Sequence, residues 1–425
     1  MLTIAYLANQ FPSAVEPYVS DEIQELRRLG VNVIAGSVRR PDASQGLSST
    51  GRPQSADLCL EPLRMLTLLR ALPFVATQWR TISSLLVRIF LHGKEGPGRR
   101  MRALLHTWLG AYYAVLLRES AVDHIHVHHG YFGSWIAMVA ARLLGINFSL
   151  TLHGSDLLLH SAYLDTKLNH CRSCVTISDY NRRYILDHFP GITPQKIVVS
   201  RLGVDAPPLK VFQKSAPSSQ NSFTLFAVGR LHAVKDHAFL IRACARLRDA
   251  GLIFRCSIAG EGPERHRITT LIWHYRLERH VTLLGHVARE TIDALYRDAQ
   301  VVVLTSVSEG IPLVLMEAMV RGRIVVAPAI TGVPELVIPG KTGFLYRPGD
   351  LEDFAYKIRF LEFLMRFDDQ SSRSRLNWVR HAARVQVLHN FNRESNVNRF
   401  GDALLRAISP RQECFQHENP VLQQI

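Results

Sequence analysis

The stretch VVVLTSVSEGIPLVLMEAM, residues 301–319, runs from an apolar β-forming segment through a polar turn into an apolar helical one. A continuous apolar strand followed at once by a helix is the repeating unit of a parallel sheet covered on both faces. Pro312 is predicted to be the first residue of that helix, because its missing N–H would have no partner there anyway. The helix start then offers free amides and roughly half a positive charge, a setting that binds phosphate. Glu309 comes before the helix and Glu317 falls in its second turn. Too far apart to share one phosphate, the two carboxylates suit hydroxyl groups on either side of it. The expected ligand therefore carries sugar on both flanks of a diphosphate.

Working outward, short apolar runs at 3–8, 31–37, 125–128, 148–152, 175–177 and 196–199 are mostly separated by segments of helical period. The alternation restarts at 223–228, 253–259, 281–284, 301–304 and 324–327. This predicts an α/β protein of two doubly wound parallel-sheet domains. Ligands of such sheets bind beyond the carboxyl ends of the strands, so the two sets of loops are expected to face each other across a cleft. The first domain covers residues 1–206, and the Pro-, Ser-, Gln- and Lys-rich segment 207–222 reads as a linker. The second domain covers 223–388, and the remaining 389–425 holds a helix and a tail, the helix expected as one piece over 387–408. A length of 425 residues agrees with two domains.

Lys and Arg number 50 against 36 Asp and Glu, a net charge of +14 that favours phosphate-bearing ligands, nucleic acid or an anionic membrane. Residues 60–118 concentrate the question. There Arg64, Arg70, Arg80, Arg88, Arg99, Arg100 and Arg102 alternate with aliphatic residues, Trp79 and Trp108. Nucleic-acid binding would call for basic residues interleaved with stacking aromatics, so this composition favours either a bilayer surface or helices packed on the sheet with solvated arginines. The longest uncharged run here, 103–117, is too short to span a bilayer. Six cysteines in so long a chain suggest a reducing compartment, and the opening MLTIAYLANQFP reads as a strand and not as a secretion signal. A cytoplasmic protein, peripheral on the inner membrane face if the bilayer reading holds, is expected.

Two further strand ends carry chemistry. In Val228-Gly-Arg-Leu-His-Ala-Val-Lys-Asp236, Arg230 and Lys235 leave the strand tip spaced to reach one anion from two sides. Each cation offers a negative charge at ~4 Å on the order of 4 kcal/mol before desolvation, at an effective dielectric of ~20. In Leu152-His-Gly-Ser-Asp156, His153 follows a strand and Gly154 permits close backbone approach, while Asp156 could simply cap a helix. His124, His126 and His128 alternate on one strand face and could ligate zinc, but sequence places no carboxylate or cysteine beside them. Cys171 and Cys174 lack a second pair and read as buried small residues. The chain contains no Asp-x-Asp pair of the kind that holds a divalent ion on a diphosphate, so no metal and no cofactor are expected.

These blocks resemble the retaining glycosyltransferases of family four, whose GT-B architecture sets two Rossmann-like domains about a central cleft. Glu309 and Glu317 are similar to the family's E-x7-E pair, Arg230 and Lys235 to its diphosphate-binding cations, and His153 to its cleft histidine. Gly260-Glu-Gly-Pro263 and Leu284-Gly-His286-Val287 also resemble family segments. The resemblance implies that Arg230, Lys235, Glu309 and His153 serve the reaction. It implies a donor site of Gly229, Gly260, His286, Val287, Gly310, Ile311, Pro312, Leu313, Val314 and Glu317, with Glu317 on the ribose and the nucleotide base near Val287. The opening FPSAVEPYVSDEIQELRRLG and the strand DHIHVHHG resemble the subgroup that builds bacterial exopolysaccharide, lipopolysaccharide or colanic-acid-type polymers. There, Val15-Glu-Pro-Tyr18 stands where many members have Ser-Glu-Thr-Phe. Glu16, His128 and Asp156 are expected on the acceptor side. The implied activity is transfer of a sugar, with retention and without a metal, from a nucleoside-diphosphate sugar to a carbohydrate or lipid-linked acceptor. A nucleotide-sugar 2-epimerase of the same fold and a non-catalytic basic binding protein are the alternatives.

Overall fold

A computed structural model describes residues 1–13, 16–40, 55–92, 95–207, 222–367 and 369–408. Two sheets organise it. The first contains β1 (Thr3–Gln10), β2 (Asn32–Arg39), β3 (Leu58–Cys59), β4 (His124–His128), β5 (Asn147–Leu152), β6 (Ser173–Thr176) and β7 (Ile197–Val199), in the spatial order β3-β2-β1-β4-β5-β6-β7. The second contains β8 (Phe223–Val228), β9 (Phe254–Ala259), β10 (Val281–Gly285), β11 (Val301–Val303), β12 (Ile324–Pro328) and β13 (Phe344–Tyr346), in the order β10-β9-β8-β11-β12-β13. All paired strands are parallel, with Ile4 opposite both Val33 and His124 and Val301 opposite Leu225 and Ile324. The strands match the apolar runs to within two residues at each end. Two strands were not anticipated, β3 and β13, of two and three residues.

Alternation along the strands feeds two faces. Ala5, Leu7, Ile125 and Val127 join one cluster, whereas Ile4, Tyr6, Ala8 and Val33 join another on the opposite face. The second sheet divides likewise, Leu225 and Val301 to one side and Phe226 and Val302 to the other. Each sheet is thus covered twice, as a doubly wound sheet must be.

The insertion at 60–118 forms three helices, Met65–Thr77, Trp79–Phe90 and Pro97–Leu117, where a packed pair was the plain alternative to a membrane surface. The third lies so close to the helix Phe132–Leu144 that a Cβ at Gly110 would come within 2.5 Å of Val139 Cβ. Ile82, Leu85, Ile89 and Tyr113 are buried, but Leu66, Leu69, Leu72, Trp79, Phe90 and Leu105 stay exposed. Among the described residues no helix is long and apolar enough to cross a membrane.

The single helix expected over 387–408 is corrected to two, Gln370–Asn390 and Arg393–Ile408. Phe391 is buried at the break, Asn392 caps the second helix by accepting from Ser395 N at 2.9 Å, and Asn396 Nδ2 takes up Asn390 O and Leu202 O. The second helix returns to the first sheet, where Phe400 and Leu404 enter the cluster of Tyr6 and Ile23. Nearly all of the expected linker, 208–221, lies outside the described residues, as do 409–425 of the tail.

Candidate active site

The carboxyl ends of β8, β11 and β5 meet at the cleft. Beyond β11, Ser306 Oγ and Lys235 Nζ each reach Glu309 Oε1 at 2.6 Å. Two donors on one carboxylate oxygen hold Glu309 in place and leave its other oxygen available. Lys235 is set by backbone. Val307 N donates to Val234 O and Thr305 Oγ1 to Lys235 O, and the turn ends on Asp236, whose carboxylate caps the next helix through Phe239 N. Arg230 stands exposed at the other end of the same loop, near enough for its charge to be felt at Glu16 and Tyr131 of the first lobe. Glycines let this loop and its neighbour interlock. A Cβ at Gly260, φ +147°, would lie 1.9 Å from Gly229 O, so only glycine fits there.

Pro312 is corrected from first helical residue to N-cap. Its ψ of 117° is extended, and the helix runs Leu313–Val320 with Pro312 O accepting from Met316 N at 3.4 Å. Proline's fixed φ suits the cap as well as the first turn. Further along, Tyr296 Oη donates to Glu317 Oε2 at 3.0 Å. Glu317, Leu313, His286 and Val287 line an interlobe cavity of about 670 Å³ together with Tyr18, Glu22 and Arg393. Arg230, Lys235, Glu309 and His153 are not part of that lining. A cavity of about 1090 Å³, lined by Phe223, Tyr356 and Phe363, opens at the amino end of β8, the wrong end of the sheet for ligand chemistry.

On the first lobe His153 and Gly154 follow β5. Asp156 is fully buried and accepts from Gly130 N at 2.9 Å, Gly154 N at 2.7 Å and His153 N at 3.1 Å. It therefore ties two loops together, where helix capping was the plain alternative. Burial by itself would raise its pKa, but its partners, His129 foremost, hold it below the usual carboxylate range. His129, at φ +67°, pairs Nε2 with Glu16 Oε1 at 2.8 Å and sets Nδ1 3.6 Å from Asp156 Oδ2, within reach of the charge. Burial opposes the charged imidazole, yet the two carboxylates outweigh it and raise the pKa to about 10. Glu16 accordingly lies below its ordinary value despite its own burial.

His128 needs correction as an acceptor-side contact. It points into the sheet face covered by the helix Pro17–Arg28 and is buried behind His153. Its Nε2 lies 2.9 Å from Glu22 Oε2 and 2.6 Å from Tyr6 Oη, and its Nδ1 lies 2.9 Å from His153 Nε2. Glu22 is the carboxylate that sequence did not place beside the histidine strand, and with His126 and His128 it brings potential ligand atoms within 4.8 Å of one another. Ser149 and Thr151 hydroxyls take both nitrogens of His126, and His128 and Tyr6 take Glu22, so the group stands as a hydrogen-bond network. Cys171 and Cys174 are buried free thiols, and burial pushes Cys171 up to about 12, leaving it inert as a nucleophile.

The lobes touch at glycines. A Cβ at Gly310 would come 2.1 Å from His153 O, and one at Gly154 would come 2.9 Å from Gly310 N. Glu335 of the second lobe also accepts from Asp179 N at 3.1 Å and Tyr180 N at 2.7 Å, the start of a first-lobe helix, and Arg201 pairs with both Asp179 and Glu335. Sequence reasoning missed His129, Glu22, Tyr296 and Glu335. Only His129 had a local signal, as the residue after the alternating histidines before a glycine.

Comparison with known proteins agrees with this arrangement. Residues 15–206 match the model of Glycosyltransferase Family 4, and residues 210–374 match Glycosyl transferases group 1. A Salmonella typhimurium protein named for colanic acid biosynthesis glycosyltransferase WcaL is 36% identical over 224 residues, 51% of this chain and 53% of that one. The amylovoran biosynthesis glycosyltransferase AmsK of Erwinia amylovora is 32% identical over 171 residues, 39% of this chain and 42% of that one. The chain spans about half the length of the relatives it matches. A glycosyltransferase from Rickettsia africae superposes with a TM-score of 0.67 at 18% identity, covering 96% of this chain and 99% of that one. The Anabaena protein HepE, solved in complex with UDP, gives 0.67 at 18% identity, covering 96% and 100%. At these identities the structures establish the shared twin-lobed GT-B fold.

Proposed function

Because the chain belongs to the group 1 and family 4 glycosyltransferases, we propose that it transfers a sugar from a nucleoside-diphosphate sugar to a carbohydrate or lipid-linked acceptor in cell-surface polysaccharide synthesis, with retention and without a metal ion. The observation that carries this reading is Lys235 held against Glu309 beside the helix that starts at Leu313. Breaking the sugar–phosphate bond builds negative charge on the departing diphosphate. Lys235, Arg230 and the helix end supply positive charge at that place, and preorganised charge of this kind stabilises the transition state more than the ground state. Glu309, already engaged by Lys235 and Ser306, suits holding donor-sugar hydroxyls better than attacking the anomeric carbon. Attack then comes from the acceptor hydroxyl on the face the diphosphate leaves, and the diphosphate takes the acceptor proton. Glu317, steadied by Tyr296, is suited to the ribose, and the His286–Val287 turn to the base.

The three helices over 60–118 support a cytoplasmic enzyme resting on an anionic bilayer. Leu66, Leu69 and Leu72 form an exposed apolar row on the first of them, and Arg70 lies on the same helix. Each basic residue near such a surface adds about 1 kcal/mol. The test is a thermal-shift screen of nucleoside-diphosphate sugars followed by product analysis with acceptors. Stabilisation by at least one donor, and an axial or equatorial linkage matching the donor's anomer, is the expected result; no stabilisation by any donor refutes the donor site. Conversion of the donor without an acceptor would instead identify an epimerase.

A further inference from the structure

We propose that Tyr18 is a binding residue contributed by the first lobe, its phenolic O–H donating to the diphosphate of the sugar donor across the cleft. This rests on the glycosyl-transfer reading above.

Tyr18 is the second residue of the helix Pro17–Arg28, which follows the carboxyl end of β1, the ligand end of the sheet. It lines the interlobe cavity of about 670 Å³ from the first lobe, where Leu313 and Glu317 line it from the second. Its ring lies against His153, with centroids 4.8 Å apart, and 5.7 Å from His128, so packing holds the phenol. The hydroxyl has no hydrogen-bond partner among the described residues. In this it differs from Tyr296 and Tyr6, whose hydroxyls serve Glu317 and Glu22. It differs also from Tyr113 and Tyr163, whose unpartnered hydroxyls are sealed in the core, whereas that of Tyr18 keeps an opening. The cavity that Tyr18 lines is that opening.

Charge selects what the hydroxyl meets. Pro17 and Leu313, the first residues of two helices, both line the cavity. One helix start thus comes from each lobe, and each carries roughly half a positive charge. The helix Pro17–Arg28 has no acidic residue in its first turn, and its N-cap Glu16 makes no capping bond but turns to His129. A phosphate between two such ends is favoured over a neutral carbohydrate hydroxyl. Burial first, and then the charges of Glu16, Glu22 and Asp156, raise the Tyr18 pKa well above its ordinary value. The phenol therefore keeps its proton and is a donor toward an anion. Those carboxylates have partners of their own, Glu16 in His129, Glu22 in Tyr6 and His128, and Asp156 in three amides.

Tyr18→Phe removes one oxygen and keeps the ring against His153. Because that oxygen bonds nothing in the ligand-free protein, the thermal midpoint without ligand should move by less than about 2 °C. UDP, GDP, ADP and dTDP are screened, and the one that stabilises the wild-type protein most is titrated by calorimetry. Its Kd should rise about tenfold in Tyr18→Phe, the worth of a hydrogen bond to a charged group. KM for the matching sugar donor should rise by about the same factor with kcat within about threefold, as a contact made in ground and transition states alike requires. The parent nucleoside, which carries no phosphate, should stabilise both proteins equally. An unchanged Kd for the diphosphate in Tyr18→Phe overturns the proposal while leaving the donor reading intact. So does an equal loss for the nucleoside, which puts the hydroxyl on the ribose or base, and so does a ligand-free midpoint lowered by more than about 5 °C, which makes the hydroxyl structural. Binding of none of the four diphosphates to the wild type refutes the donor reading itself and the proposal with it.

Discussion

Replacing Gly310 by alanine should lower kcat/KM about 100-fold while the fold stands. The new Cβ would sit 2.1 Å from the carbonyl oxygen of His153 and 2.4 Å from Ile177 Cδ1. Ile177 can turn its side chain away; the carbonyl is backbone and cannot. Ordinary contact begins at 3.4 Å, so the two lobes must part by roughly 3.4 minus 2.1, or 1.3 Å, at this point. Asn181 Nδ2 holds the same carbonyl at 3.2 Å, so the shift carries His153 away from Glu309 and Lys235. Misplacement by about 1 Å costs on the order of 100-fold, or about 2.7 kcal/mol of barrier. Gly310 lies outside the left-handed φ range that disfavours side chains, so the thermal midpoint should move by only a few degrees. Steady-state kinetics with donor and acceptor measure the loss, and calorimetry with the nucleoside diphosphate should give a Kd within about threefold of wild type, because the proposed reading assigns that ligand chiefly to second-lobe groups. A wild-type kcat/KM in the alanine variant would show that the lobe contact does not set the geometry of transfer.

Lys235→Ala and Glu309→Ala should each reduce single-turnover transfer at least ~100-fold with unchanged circular dichroism, by the usual cost of one charge-stabilising group; normal rates in both would remove them from the mechanism. His129 has its pKa raised to about 10 in the folded protein, above its ordinary 6.5. Its stabilising contribution is therefore fully present below about pH 6.5 and is lost as pH rises through about 10, so the stability gap between wild type and His129→Gln, read by urea unfolding, should shrink from pH 6.5 to pH 10. A gap that stays constant or widens would contradict the charged Glu16–His129–Asp156 arrangement. Changing Leu66, Leu69 and Leu72 together to serine should reduce co-sedimentation with phosphatidylglycerol vesicles at least ~10-fold without affecting nucleotide binding, whereas equal sedimentation would place the bilayer contact elsewhere or nowhere.

The end of the candidate site built by Arg230, Lys235, Glu309 and Glu317 could be read from the chain because its physics is local. A strand tip, a glycine and a helix start lie within a dozen residues, and Arg230 with Lys235, like Glu309 with Glu317, keep their meaning in spacing alone. The sheets could be read for the same reason, down to the three-residue β7 and β11, which lie in continuous apolar runs, while β3 and β13 were missed. The helix break at Phe391 was hidden because neither glycine nor proline marks it. Asn392 and Asn396 make it by side-chain bonds, one of them to Leu202 in a distant part of the chain.

The first-lobe cluster escapes spacing for a reason that bears on its chemistry. Glu22 and His128 are 106 positions apart, Glu16 and His129 are 113, and Tyr6 and His128 are 122. Only the parallel pairing of β1 with β4, and the helix Pro17–Arg28 laid over them, brings these groups into contact. Charges in such a network are worth several-fold more than in water, and an unpaired member is correspondingly costly, so the cluster can exist only where each proton has a place. Asp156 tied to three amides and His128 between Glu22 and His153 meet that requirement, while His129 is hydrogen-bonded to Glu16 and feels Asp156 only through its charge at 3.6 Å. The two lobes therefore divide the electrostatic work. On the proposed reading the second supplies Arg230 and Lys235 to the departing diphosphate, and the first supplies the buried histidine–carboxylate cluster on the opposite side of the cleft.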